Sequence, residues 1–245
     1  MGGLLHAVLY QPLYNLLIGL YDIIPGHDMG LAIIALTILV KLVFWPLNHS
    51  SLLSQKALQE LQPKIDALKA AHGADKDAFG KAVIALYASE KVNPLSSCLP
   101  VLVQLPVLFA LYAVLQSGLT TEGFSNLYSF VPNPGGINET FLGILDLTKK
   151  NVPLALVTGL ATFAQMRMLT ATRVKKPVPE GAKDEDMLAA MNKSMQYTMP
   201  VMTAVIGAGL PAGLLLYWIT NTLVSIGQQM VAFRKKKPAA VEVIG

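Results

Sequence analysis

Apolar residues run through this chain in long, nearly uncharged blocks, and each block is about as long as a bilayer is thick. Five of them read as membrane-spanning helices, over residues 29–47, 94–119, 152–169, 195–209 and 212–233. The last two are parted by Gly207-Ala208-Gly209-Leu210-Pro211-Ala212-Gly213, whose glycines and proline stop a helix and turn the chain back. Residues 4–24 are apolar too. However, Gln11, Asn15 and Asp22 fall on one helical stripe and Pro12 interrupts the ladder, which favours an amphipathic helix at the membrane surface over a sixth span.

Between the first two blocks the pattern changes. Leu58, Leu61, Ile65 and Leu68 recur at helical spacing among Gln, Glu, Asp and Lys, so an amphipathic helix is expected there. His72-Gly73 breaks it, Asp75 is placed to cap a second helix, and Phe79, Val83 and Leu86 share one face of that helix. The two form an αα-hairpin projecting from the membrane, either a solvated arm held by its own seam or a partner-binding arm. The expected division is an interfacial helix 1–28, first span 29–49, hairpin 50–93, second span 94–119, outer loop 120–151, third span 152–170, inner loop 171–193, fourth span 194–210, fifth span 211–233 and basic tail 234–245.

Composition agrees with the pattern. Of 245 residues 53% are hydrophobic and 14% charged, with a mean hydropathy of +0.50; soluble domains carry roughly 25% charged residues. The expected class is an all-α integral membrane protein. Basic residues set its orientation. With the first span running inward, two of the 19 Lys and Arg lie outside (Lys149, Lys150), one lies in the membrane (Lys41), and 16 lie on or near the inner side. That is the positive-inside asymmetry, and it puts the C-terminus in the cytoplasm. The run Arg234–Lys237 reads as a stop-transfer and phospholipid anchor. Without interleaved aromatics it does not suggest sequence-specific nucleic-acid binding. The first twenty-five residues hold no Lys or Arg, so no secretory leader is expected. Cys98 is the single cysteine, which excludes a disulfide within the chain and reads as a small buried hydrophobe.

One residue breaks the pattern. Lys41 sits inside Gly30-Leu-Ala-Ile-Ile-Ala-Leu-Thr-Ile-Leu-Val-Lys41-Leu-Val-Phe-Trp-Pro46-Leu47. A mid-span charge costs about 2.5–3.5 kcal/mol, and each large apolar residue near the centre returns roughly 0.3–0.6 kcal/mol. The run holds eleven Leu, Ile, Val or Phe, so it can still insert. Thr37 lies one turn earlier on the same face; Gln104, Gln165, Tyr217, Trp218, Asn221 and Thr222 supply polar groups from other spans. Together they suggest a polar concavity at membrane depth. Lys41 is also roughly 9 Å from the inner end at Leu47, within reach of snorkelling. Catalytic patterns are missing: there is no H-E-x-x-H, no G-x-S-x-G and no intramembrane carboxylate pair.

Three blocks give this pattern a relative. Gly30–Leu47 is one, and Val92-Asn93-Pro94-Leu95-Ser-Ser-Cys98-Leu99-Pro100-Val-Leu-Val-Gln104-Leu-Pro106 is the most specific. Pro211-Ala-Gly213-Leu-Leu-Leu-Tyr217-Trp218-Ile-Thr-Asn221, ending in Gln228-Gln229, is the third. In these blocks the chain resembles the YidC/Oxa/Alb family of membrane protein insertases over about residues 4–235. The resemblance implies a five-helix transmembrane bundle in the bacterial plasma membrane. Its hydrophilic groove would open to cytoplasm and lipid but not to the outside, and it would work without cofactor, metal or covalent catalysis. It implies a substrate-binding groove built from Lys41, Thr37, Gln104, Gln165, Tyr217 and Trp218. The implied partners are nascent membrane proteins and membrane phospholipids, with the ribosome and the Sec translocon as further candidates, and a monomer as the working unit. The family's usual groove cation is arginine; here it is lysine, and the C-terminal tail is short. A small-solute transporter or channel is the alternative, and a passive assembly scaffold a weaker third.

Overall fold

The structure, a computed structural model, describes residues 3–72, 75–93, 95–115, 121–171 and 185–234. It is almost wholly helical. An N-terminal helix begins at Gly3–Leu5, passes through a π-helical stretch His6–Tyr10, and continues as α1 (Gln11–Ile23). Then come α2 (Met29–Val43), α3 (Trp45–His72), α4 (Lys76–Ser89), α5 (Leu95–Ala113), α6 (Val152–Ala171), α7 (Glu185–Gly207) and α8 (Ala212–Arg234). The Cys98 side chain, residues 172–184 of the expected inner loop and the tail from residue 235 lie outside what is described.

Helix α2 starts where Asp28 caps it, its carboxylate accepting from Leu31 N at 2.9 Å. It stops at Phe44, and α3 leaves at 68° to it. Pro46 is the physical cause: without an N–H it leaves the Leu42 carbonyl without its helical donor, and its ring crowds the preceding turn. The expected first span to residue 49 is therefore two helices, and residues 45–49 open the same helix that forms the first arm of the hairpin. The second arm begins as expected, with Asp75 accepting from Asp77 N and Ala78 N, both at 3.0 Å. Lys64 on α3 pairs with Glu90 at the end of α4.

Helix α1 folds back against α2 and contributes Tyr14, Leu17 and Ile18 to the core, all fully buried beside Met29, Ile33, Leu111, Val114 and Leu147. Part of its polar stripe is turned to the rest of the chain. Asn15, 4% exposed, donates to Asn126 O at 2.9 Å and accepts from Tyr128 N at 2.6 Å, and Gln11 donates to Asn126 O. Asp22, the third member of the stripe, is half-buried.

That outer segment ties the helix ends together. Strands β1 (Thr140–Phe141) and β2 (Leu145–Asp146) pair antiparallel, Phe141 opposite Leu145. Their turn places Leu142 and Gly143 at positive φ, and Leu142 N donates to the other oxygen of Asp28. Tyr21 Oη accepts from Asn138 N at 2.8 Å. Past the hairpin, Lys149 O accepts from Ala212 N at 2.8 Å and Leu147 O accepts from Gly213 N at 2.9 Å, joining the segment to the start of α8. Lys149 pairs with Asp146 at 2.7 Å, which holds the Asp146 carboxyl well below the usual carboxylate range.

On the other side, α6 and α7 cross closely at Gly159, where an added Cβ would lie 2.9 Å from Ala204 and 3.0 Å from Pro200 O. Their outer faces expose Val157, Leu160, Val201, Val205 and Ile206. A surface so apolar suits lipid rather than water. Among the described residues, α6 is long and apolar enough over Val152–Leu169 to cross a bilayer, as is the bent pair α2–α3 if it forms one span, and Gln104–Ala113 is a shorter apolar stretch. Helix α7 begins well before the expected start at 194, at Glu185.

Gly30 is where the outer hairpin meets α2 most closely: a Cβ there would sit 2.2 Å from the Phe141 ring. Gly30→Ala should therefore destabilise the detergent-solubilised protein by about 1–3 kcal/mol, as overpacking does. Because the Phe141 Cβ itself would lie 2.5 Å away, the companion change Phe141→Gly should recover part of the loss in thermal melts, relative to Phe141→Gly alone. No recovery would show that the strain lies elsewhere.

Candidate functional site

Thr37 and Lys41 lie four residues apart on α2 and so face the same way. Both are buried, at 2% and 8% exposure. Thr37 Oγ1 donates to its own helix at Ile33 O, 2.6 Å away, which satisfies the hydroxyl. The Lys41 ammonium carries three donors, and one of them goes to another helix. Its position in the last turn of α2 helps, since the carbonyl end of a helix favours a cation by about 0.3–1 kcal/mol.

Around this pair is a small recess of about 20 Å³, room for a single water molecule. Its polar lining is Thr37, Lys41, Asn48, Gln104, Tyr217 and Asn221; Val40, Phe44 and Val107 complete it. Helix α2 supplies the cation, α3 supplies Asn48 just after the bend, α5 supplies Gln104, and α8 supplies Tyr217 and Asn221. Among the described residues, no carboxylate lines the recess and none pairs with Lys41. The ammonium instead reaches across to α8 and donates to Ser225 Oγ at 2.8 Å. Tyr217, 4% exposed, has a hydroxyl with no partner among the described residues.

The lining changes toward the outer face. A second, smaller recess of about 10 Å³ shares Thr37, Val40, Val107 and Tyr217 with the first, but its other walls are Leu13, Leu36 and Leu111. Beyond it lies the packed cluster of Tyr14, Leu17, Ile33 and Val114, closed over by the outer segment. Polarity is thus concentrated at one end, beside the α2–α3 bend, and dies away toward the other.

Of the six expected site residues, Lys41, Thr37, Gln104 and Tyr217 come together in the recess. Trp218 and Gln165 are half-buried and do not line it. Trp218 follows Tyr217 directly, so the helical turn of about 100° points it elsewhere. Gln165 stands on α6, whose neighbours are α7 and α8 rather than the Lys41 face of α2. Two residues escape the sequence reading of the site. Asn48 stands seven residues after Lys41, near the same helical face, and that spacing was the signal for it. Ser225 carries a visible signal, because Tyr217, Asn221 and Ser225 repeat at four-residue intervals along one face of α8.

With this geometry in view, the chain's relatives are informative. The family model described as 60Kd inner membrane protein matches residues 19–239. A protein of Fusobacterium nucleatum called Membrane protein insertase YidC is 33% identical over 208 residues, covering 85% of this chain and 87% of that protein. Proteins with the same name from Pelobacter propionicus and an Anaeromyxobacter species are 35% and 39% identical over 91% and 85% of this chain. The chain spans only 38% and 33% of the length of those two.

If the recess is open to water beside the bend, single cysteines at Asn48 and Asn221, in a Cys98→Ser background, should react with a membrane-impermeant maleimide in inverted vesicles. Leu111→Cys, in the apolar wall, should react at least about tenfold more slowly, as burial of a thiol in apolar surroundings dictates. Equal rates at all three positions would contradict the polarity gradient.

Proposed function

The chain belongs to the family of the 60Kd inner membrane protein, and from that membership we propose that it is a membrane protein insertase and chaperone. It acts through a hydrophilic groove open to cytoplasm and lipid. In this reading α2 with the start of α3, α5, α6, α7 and α8 cross the bilayer as five spans. The α3–α4 hairpin and the C-terminus lie in the cytoplasm, as the Lys and Arg distribution favours. Residues 121–150 and the N-terminal helix cover the outer end. The observation that carries the proposal is the buried Lys41 ammonium, set among uncharged polar groups with no acidic partner among the described residues.

The mechanism is electrostatic and solvational. A polar flank of a nascent protein must cross a hydrocarbon layer roughly 30 Å thick. A wet recess reaching partway in shortens that layer, and a fixed positive charge within it attracts acidic residues of the flank more strongly than it would in bulk water. Asn48, Gln104, Asn221 and the Tyr217 hydroxyl offer hydrogen bonds to the flank's main chain. Trp218 and Gln165 then serve the apolar part of the substrate outside the recess rather than its polar flank. Release follows from transfer of the apolar helix into lipid, worth about 25 cal/mol for each Å² buried. No covalent step and no cofactor is required. The partners are nascent membrane proteins and phospholipids, with the ribosome and the Sec translocon as further candidates and a monomer as the working unit. The apolar outer wall of Leu13, Leu36 and Leu111 weighs against the alternative of a solute channel, which needs a polar path through both faces.

In cells depleted of their own insertase, Lys41→Arg should support insertion of a single-span reporter. Lys41→Glu should impair reporters with acidic translocated flanks by about tenfold or more, the factor expected when about 1.4 kcal/mol of attraction turns to repulsion. A photo-crosslinker at Gln104 should capture a stalled nascent chain. Unchanged insertion by Lys41→Glu, together with no crosslink from position 104, would sink the proposal.

A further inference from the structure

We propose that Ser225 is the positioning residue of this recess: its hydroxyl draws the Lys41 ammonium sideways to α8 and holds it there as an uncompensated charge. The inference rests on reading the recess as the insertion site, and deepens it by naming what aims the cation.

Two hydrogen bonds in series carry the argument. Lys41 Nζ donates to Ser225 Oγ at 2.8 Å, and Ser225 Oγ donates to Asn221 O at 2.8 Å. The second bond commits the only hydroxyl hydrogen to the main chain of α8. What remains facing Lys41 is lone pairs, so the serine is locked as an acceptor. The partners are 184 residues apart in sequence, on helices that meet only in the folded protein.

The first consequence is direction. Lys41 lies near the inner end of α2, which closes at Val43, and a lysine stem is flexible enough to run along the helix toward headgroups. Bonded to Ser225, the stem is tied to α8 instead, one turn from the recess residue Asn221, and the charge stays beside the recess. Charge itself is the second consequence. An Asp or Glu in the same place would hold the stem equally well but would neutralise the ammonium. The ion pairs of the described residues, Lys56–Glu60, Lys64–Glu90 and Lys149–Asp146, leave Lys41 out. A serine uses one of three N–H donors and none of the charge, so two donors and the full field remain for a carboxylate on a passing polypeptide. The ligand class that fits is an acidic residue in a polar flank.

The test compares Ser225→Thr, Ser225→Ala and Ser225→Asp in the full chain, expressed in cells depleted of their own insertase. Two single-span reporters are used, differing only in whether the translocated flank is acidic or neutral. Ser225→Thr keeps the acceptor and should insert both within about twofold of the unaltered chain, since a threonine hydroxyl offers the same lone pairs. Ser225→Ala should lower insertion of the acidic reporter by about tenfold, the low end for a lost hydrogen bond to a charged group. It should leave the neutral reporter within about twofold. Ser225→Asp should lower the acidic reporter at least as much, by occupying the ammonium internally. The acidic-to-neutral ratio is measured in the same cells, so it is insensitive to how much protein accumulates.

Equal losses on both reporters would mark Ser225 as a packing residue and overturn the inference. So would normal insertion of the acidic reporter by the Ser225→Asp variant. Should Lys41→Glu impair the acidic reporter while no Ser225 change does, the positioning role falls and the recess reading stands. Should Lys41→Glu also leave it unchanged, both fall.

Discussion

One positive charge held inside an apolar helix bundle is the constraint around which the inner half of this molecule is arranged. Moving an ammonium out of water costs several kcal/mol even after relaxation, and an ion pair would be the ordinary remedy. The described residues offer Lys41 none. It is stabilised instead by the carbonyl end of α2, by one serine, and by a recess lined with amides and hydroxyls. Such an arrangement is less stabilising than a carboxylate partner would be, and it keeps the charge available. An ammonium is a compact point charge that one hydroxyl can hold, where a planar guanidinium would spread five donors over a fork.

The bend at Phe44 decides where the chain goes beyond the recess. Asn48, seven residues after Lys41, would lie near the same face even of a straight helix. Because Pro46 cannot donate to Leu42 O, the axis turns by 68°. The bend sets the direction in which α3 leaves, and α3 packs against α5 and α8. A single missing N–H thus launches the hairpin.

The outer end is organised by the opposite logic. There the main-chain groups of residues 126–150 are bonded one by one to Gln11, Asn15, Tyr21, Asp28 and the first turn of α8. Asp28 serves twice, capping α2 with one oxygen and holding Leu142 with the other. Beneath this fastening the core is tyrosine and aliphatic, without a polar path. The polar inner recess and the fastened apolar outer end are two halves of one asymmetry.

Much of this was legible in the order of residues. Apolar run lengths, Gly and Pro punctuation and the Asp75 cap follow from local physics, and the helices α4, α6 and α8 begin close to where those signals put them. Lys41, Thr37, Gln104 and Tyr217 were visible because a polar side chain in an apolar run is costly wherever the run ends up. Partnership was not visible. A stripe such as Gln11–Asn15 declares that it needs hydrogen bonds, yet it cannot say whether water or a distant loop provides them. In this fold Asn126 and Tyr128 do. The same limit hid Ser225, whose helical spacing was plain but whose bond spans nearly the whole chain, and it admitted Trp218 and Gln165, polar enough to belong but turned away by helix geometry. Sequence determined which groups must be satisfied; only the packing of helices decided by whom, because hydrogen-bond partners are chosen by distance in space.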